Sequence, residues 1–207
     1  AFFTEHTLDG LIHKVGMYAM EKQSVSVEAV QTDFKVEEQQ AKDILEKLQK
    51  IGVLDKAEND NRYTVAMDRE AFEKRIGKYQ ELTDRMKQIA ASKNTDLIDI
   101  TISKTLIFSE NDRAVKTRVP GLYGNNVGYL WINKQDICEI HNGKTMLTYL
   151  DKNKDYKIYS EDNRVLYTVR GEELFSKHYD HVEKSVRKRY EQAKVEPSKV
   201  STQTRRR

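Results

Sequence analysis

The sequence predicts an α+β protein: three helices and a β-hairpin, a long connecting helix, then a small, mainly antiparallel β domain closed by a C-terminal helix. Three observations carry this. Apolar residues recur at helical spacing through the first half of the chain. The period falls to two beyond residue 96. It becomes helical again after Gly171.

The first helix is expected over 6–21, where Leu8, Leu11, Ile12, Val15 and Ala19 make one apolar face. Ser24 to Ser26 breaks it, and Ser26 is placed to cap a short second helix, Val27 to Phe34. A tight turn near Lys35 leads into a third helix whose stripe is Ala41, Ile44, Leu45, Leu48 and Ile51. Gly52 ends it as a left-handed cap. Val53 and Leu54 enter a strand, Lys56 to Asn61 is a polar turn, and Arg62 to Met67 alternates as a returning strand. Three helices followed by a hairpin is the winged-helix order.

Asp68 is placed to cap a fourth helix, roughly 69–92, with Phe72, Ile76, Tyr79, Leu82, Met86 and Ile89 along one side. That stripe suits packing against the chain's own domains or a seam between two copies. Strands are expected at Leu97–Ile102, Thr105–Phe108, Ala114–Val119 and Val127–Ile132. Tyr156–Tyr159 and Arg164–Val169 form a hairpin across the turn Ser160 to Asn163. A last helix follows Gly171, with Leu174, Phe175, His178, Tyr179, Val182 and Val186 on one face. The predicted organisation is therefore a winged helix at 1–68, a connecting helix at 69–95 and a β domain at 96–192. A disordered basic tail occupies 193–207.

The chain has 207 residues, 33 % of them charged, and no apolar run near the roughly 20 residues a bilayer span requires. It has a single cysteine, Cys138, read as a small buried hydrophobe, and no signal-peptide pattern. These features place it in the cytoplasm. It opens on Ala1, which reads as an excised domain or a processed start. The net charge of +3 hides a gradient: residues 1–68 carry 8 basic and 13 acidic groups, and residues 172–207 carry 10 basic and 6 acidic. Charge alone puts any polyanion contact in the C-terminal part.

Over 23–55, Ser26, Val30, Gln31, Phe34, Lys35, Val36, Ala41, Leu45, Leu48, Gly52 and Val53 match without gaps a family skeleton. The segment resembles the gamma domain of FtsK/SpoIIIE-type DNA translocases, a winged helix that reads short chromosomal or plasmid sequences. With the first helix and the wing, the resemblance covers about a third of the chain. It implies duplex reading by the third helix. The family pattern there, Arg then Ile-Gly-Tyr-Asn-Arg-Ala-Ala-Arg, is replaced by Lys35-Val36-Glu37-Glu38-Gln39-Gln40-Ala41-Lys42-Asp43. Glutamine still pairs bidentately with adenine, but Glu37 and Glu38 suit the helix dipole and repel phosphates. The DNA-contact candidates are therefore Lys35, Gln39, Gln40, Lys42 and the wing residue Arg62. In the second half, Lys116–Gly121, Lys144–Tyr149 and Gly171–Asp180 resemble segments of mobilisation proteins of conjugative elements.

The β half interleaves basic and aromatic residues: Arg113, Lys116, Arg118, Tyr123, Tyr129, Trp131, Lys134, Tyr149, Lys154, Tyr156, Lys157, Tyr159 and Arg164. Such a face can stack and neutralise single strands, while strands also use aromatics simply to pack. Lys184 to Arg189, with Arg187, Lys188 and Arg189, forms a basic arm suited to salt-sensitive nucleic-acid contact or to a solvated helix end. His178 and His181 share a helix three residues apart, but a zinc site requires more ligands, so they read as core and surface residues. No nucleophile elbow, phosphate loop or dinucleotide fingerprint is present.

The expected function is that of a non-enzymatic accessory protein of DNA transfer or segregation, borne on a plasmid or mobile element. Neither cofactor, metal, membrane nor small-molecule substrate is expected. Its partners are DNA and a protein partner or second copy. The alternative is a protein–protein adaptor whose winged helix is a docking or dimerisation surface.

Overall fold

The computed structural model describes residues 8–56, 61–121, 127–181 and 184. These residues form five α-helices and three antiparallel sheets, a mixed α+β architecture. They fall into two compact units, the first running to Arg69 and the second starting at Glu70.

The first unit holds α1 (Leu8–Lys22), β1 (Ser24–Ser26), α2 (Val27–Phe34), α3 (Glu38–Lys50), β2 (Leu54–Lys56) and β3 (Arg62–Val65). The apolar stripes form its core: Ile12, Val15, Ala19 and Val30 meet Ala41, Ile44, Leu45 and Leu48, each 1 % exposed or less. Gln23 takes a left-handed conformation (φ 63°) that turns the chain out of α1. The serine segment then does more than break the helix. Ser24–Ser26 is a strand paired to β3, giving the sheet order β1-β3-β2. Three residues are too few to show a period of two, and their partner lies some 40 positions downstream, so sequence pattern alone does not reveal this strand. Ser26 also caps α2, its Oγ accepting from the Ala29 amide at 3.1 Å. Gly52 is left-handed as expected (φ 81°). The Val53 amide donates to the Leu48 carbonyl at 2.9 Å, closing the end of α3. Strand β3 stops at Val65, two residues short of the sequence expectation.

The second unit begins in α4 (Arg69–Lys93), whose Phe72, Ile76, Tyr79 and Leu82 are at most 3 % exposed. The first four members of the stripe are therefore buried within a single copy of the chain, while Met86 and Ile89 stay half-exposed. The Arg85 guanidinium binds the Asp136 carboxylate. Eight strands follow: β4 (Leu97–Ser103), β5 (Ile107–Glu110), β6 (Ala114–Arg118), β7 (Tyr129–Asn133), β8 (Cys138–Ile140), β9 (Thr145–Asp151), β10 (Asp155–Tyr159) and β11 (Val165–Arg170). They make two antiparallel sheets, ordered β11-β10-β7-β6-β5 and β4-β9-β8. Between the two lie Ile100, Ile102, Val115, Leu130, Ile132, Met146, Leu150 and Ile158, the core of the unit. Strand β5 begins at Ile107 rather than at residue 105, because Lys104–Leu106 is a 3₁₀ turn capped by Ser103. Cys138 is fully buried, and that burial pushes its thiol pKa up to about 11, the inert state expected of a core cysteine.

The closing helix departs from a regular α-helix. Helix α5 spans only Gly171–Leu174 and continues as a π turn over Phe175–Tyr179. A π turn brings residues five apart onto one face. Leu174 and Tyr179, each 0 % exposed, thus both enter the core. The predicted face members Val182 and Val186 lie outside the described residues.

Candidate nucleic-acid interface

Four of the candidate contacts cluster around the start of α3. Lys35 sits in the left-handed conformation (φ 53°, ψ 49°), its amide donating to Gln31 O, and this residue turns α2 into α3. The Tyr18 and Phe34 rings meet edge to face at 5.5 Å, and the Tyr18 hydroxyl donates to Asp33, seating α2 on α1. The apolar side of α3 is consumed by the core, so its polar side faces outward. Lys35 and Gln39 are exposed, and Gln40 and Lys42 are half-buried.

The polar side of α3 is largely tied to itself. Gln39 Nε2 donates to Asp43 Oδ1 at 2.9 Å. Lys42 Nζ lies 2.9 Å from Glu38 Oε1, one turn away. The Lys42 ammonium holds the Glu38 carboxyl below its ordinary range, and Glu38 raises Lys42 in turn. Glu37 stands at the N-cap without a side-chain cap bond, so its carboxylate faces solvent at the positive end of the helix. Of the five candidates in this unit, Arg62 lies apart from α3, at the start of β3 opposite Ser26. Arg187, Lys188 and Arg189 lie outside the described residues, as does Tyr123.

In the second unit the basic–aromatic interleaving resolves by strand register. Lys116 faces Trp131 and Arg118 faces Tyr129 across β6–β7, and Tyr159 of β10 faces Tyr129. Since Val115, Leu130, Ile132 and Ile158 point into the core, alternation puts Lys116, Arg118, Tyr129, Trp131 and Tyr159 together on the other face. The expected face exists, yet its central cation is not offered to a ligand. Lys116 is 1 % exposed. Its ammonium donates to Ser160 O and Glu161 O, each at 2.7 Å, and to Asn163 Oδ1 at 2.9 Å. The Phe108, Tyr129 and Trp131 rings surround it at 5.4, 5.1 and 5.8 Å. Burial pushes the Lys116 pKa down.

Three donors thus meet three acceptors, and the β10–β11 turn folds over the middle of the face. Trp131 Nε1 donates to the same Asn163 Oδ1 at 3.1 Å, and the Tyr129 hydroxyl donates to Glu161 Oε1 at 3.3 Å. Tyr129 is buried in consequence, at 5 % exposure. What stays open for stacking is Phe108, half-buried Trp131 and Tyr159, with exposed Arg118 beside them. Periodicity and turn residues assign Ser160–Asn163 to a turn, but that these residues bind Lys116 has no local signal, since they lie 44–47 positions away.

The remaining members of the set disperse. Tyr149 hydrogen-bonds with Asp136 and Arg85, and burial raises its pKa. The Tyr156 hydroxyl accepts from the Asp151 amide at 2.7 Å. Lys134 pairs with Glu110 at 3.1 Å, and Arg164 with Asp162 at 3.0 Å. Lys154 lies over Tyr156 at 5.1 Å. Arg113 and Lys157 are exposed. His178 is half-buried, which lowers its pKa, whereas His181 is exposed. Among the described residues, no group of three or more His, Cys, Asp and Glu side chains could hold a metal ion. Nor is any described helix long and apolar enough to cross a membrane.

No protein-family model, curated protein or solved structure matches the chain.

Proposed function

We propose that this chain is a non-enzymatic, DNA-associated accessory protein of plasmid or mobile-element transfer or segregation, in which the first unit is a winged helix. The observation that carries the reading is the arrangement of that unit. Two helices joined by a tight left-handed turn pack on a third, and a three-stranded sheet ends in a hairpin. This is the order of elements of the gamma-type winged helix that the segment 23–55 resembles. Lys35 and Gln40 are the contacts with a polar group to offer, Arg62 stands apart at the start of β3, and Gln39 and Lys42 contribute once released from Asp43 and Glu38. The pairs holding them are exposed and screened by solvent, so a phosphate or base edge can displace them. The excess of acid in residues 1–68 makes this a weak reader, and Arg187, Lys188 and Arg189 supply the larger share of phosphate affinity.

The self-pairing of α3 specifically favours a second reading, the adaptor. A surface whose cations and amides already have partners costs less to bury against protein than a free cationic one.

The two readings separate on titration of the full chain against a labelled 30-base-pair duplex and a labelled dT30 strand at 50 and 200 mM salt. The DNA reading expects affinity to fall with salt, with a log–log slope of roughly −0.9 for each phosphate neutralised on the duplex. Replacing Arg187, Lys188 and Arg189 together by Gln should flatten that slope by two to three. Gln39→Ala with Gln40→Ala should instead reduce discrimination between sequences at constant slope. If neither nucleic acid binds at either salt concentration, the adaptor reading stands and the DNA reading fails.

A further inference from the structure

The five-stranded sheet has edges at β5 and β11, and among the described residues β11 is hydrogen-bonded to β10 alone. Among the described residues the exposed large apolar side chains are Phe108, Val165, Leu166 and Tyr167, and three of these four are consecutive on this strand. Val165 faces Tyr159 and Tyr167 faces Ile158, with Leu166 bulged between them. Tyr159 and Ile158 point to opposite sides of the sheet, so the edge presents apolar surface on both.

The backbone of the edge is open as well. The Gly171 amide donates to Lys154 O at 2.8 Å. The register pairs Asp155 with Arg170 and Lys157 with Thr168. Hydrogen-bonded and non-bonded pairs alternate in an antiparallel ladder, so Thr168 and Arg170 aim their N–H and C=O groups away from β10. Among the described residues no backbone hydrogen bond fills those positions. Sheet edges are commonly blunted by Lys, Pro or a bulge. Here neither Lys nor Pro occurs from Val165 to Arg170, and the ladder past the Leu166 bulge is regular.

Charge selects the occupant. Arg164 and Arg170 bracket the strand, and no acidic residue lies between them. A second copy would bring the same two arginines to the seam, and the chain's own end would bring Arg205–Arg207, so both would meet like charge. Arg164 pairs with Asp162 at 3.0 Å and Arg170 donates to Asn153 Oδ1 at 3.5 Å, both exposed contacts that exchange readily. We propose that β11 receives, as an added strand, an extended segment of a protein partner that is apolar at alternate positions and acidic at both ends.

The test is selection of random octapeptides displayed on phage against the full chain, followed by polarisation titration of the enriched sequence as a labelled synthetic peptide. The expected family carries Asp or Glu at both ends of an alternating apolar run. Thr168→Pro blocks the open edge without costing a ladder bond, because that amide points outward. It should weaken binding at least tenfold. Arg164→Glu with Arg170→Glu should weaken the acidic-ended peptide about tenfold and turn the selection towards basic ends. This charge-reversed variant answers the question even if the proline variant fails to fold. The proposal is overturned if no family is enriched, or if the enriched peptides bind both variants as they bind the wild type. It is equally overturned if sedimentation shows a dimer that Thr168→Pro dissociates, for the occupant is then a second copy. None of these outcomes depends on whether DNA binds.

Discussion

Replacing Gly171 by alanine tests the junction on which the closing helix of the second unit rests. A Cβ built there falls 1.8 Å from the Asp151 carbonyl oxygen and 2.8 Å from its carbon, with Tyr156 Cε2 at 3.0 Å. Ordinary contact begins near 3.4 Å, so β9 and α5 must separate by about 1.6 Å. Both sides are pinned. The Gly171 amide donates to Lys154 O at 2.8 Å and the Glu172 amide to Lys152 O at 3.1 Å. The Asp151 amide is bonded to the Tyr156 hydroxyl at 2.7 Å, and its carboxylate accepts from Thr95. Relief costs the two amide bonds, about 1 kcal/mol each, and roughly 1–3 kcal/mol of displaced packing around Leu174 and Tyr179. The expected loss is about 4 kcal/mol, or roughly 17 °C in the melting temperature of a unit of this size.

Gly77 supplies the internal control. It lies inside α4, and a methyl group added to it meets nothing within 4 Å. Gly77→Ala should therefore stabilise the same unit by about 0.5–1 kcal/mol, through helix propensity and a smaller entropy loss. Denaturant titration followed by the fluorescence of Trp131, the single tryptophan, reports on this unit directly. The same chemical change at two glycines must act in opposite directions. A Gly171→Ala variant within 1 kcal/mol of wild type would refute the close approach of Asp151 and, with it, the placement of α5.

Two further predictions concern buried polar groups. Lys116→Met keeps the aliphatic stem between the rings but removes three donors, and water can reach the acceptors of the exposed turn. The expected loss is therefore only about 2 kcal/mol, accompanied by faster amide exchange at Arg164, whose N–H donates to Ser160 Oγ. An unchanged midpoint with unchanged exchange would show that the cage does not hold the turn. Cys138 has its pKa raised from 9.0 to about 11 by burial. A raised folded pKa contributes stability that is present below pH 9 and lost as pH rises through 11, about 3 kcal/mol for a shift of this size. Cys138→Ala should remove that alkaline slope, and native Cys138 should resist alkylation at pH 8 until urea unfolds the protein. Rapid alkylation of the native protein would contradict the burial.

The sequence by itself determined the elements built on local periodicity. The stripes Ile12–Val15–Ala19 and Ala41–Leu45–Leu48, the Ser26 cap, the Gly52 stop and the hairpin around Ser160–Asn163 are written within a few residues of where they act. Apolar spacing, capping hydroxyls and left-handed positions act over one or two turns of chain, and so they are legible without tertiary knowledge. The features that went unread depend on partners far away. Strand β1 is a strand only because β3 pairs with it, and the π turn after Leu174 follows from the demand that Tyr179 reach the same core.

The candidate site divides along the same line. The chain order placed Lys35, Gln39, Gln40 and Lys42 around one turn and one helix start, and alternation put Lys116, Arg118, Tyr129 and Trp131 among strand residues. Only the tertiary structure decided which of these groups are available. Asp43 and Glu38 occupy Gln39 and Lys42 within their own helix. Lys116, the cation best surrounded by aromatic rings, is consumed by carbonyls from a turn more than 40 residues away. The exposed apolar edge of β11 was likewise invisible, because the sequence pattern gives a strand its faces but not its place at the rim of a sheet. Availability is set by what covers a side chain in space, and for Lys116 and β11 the covering or uncovering element is distant in sequence.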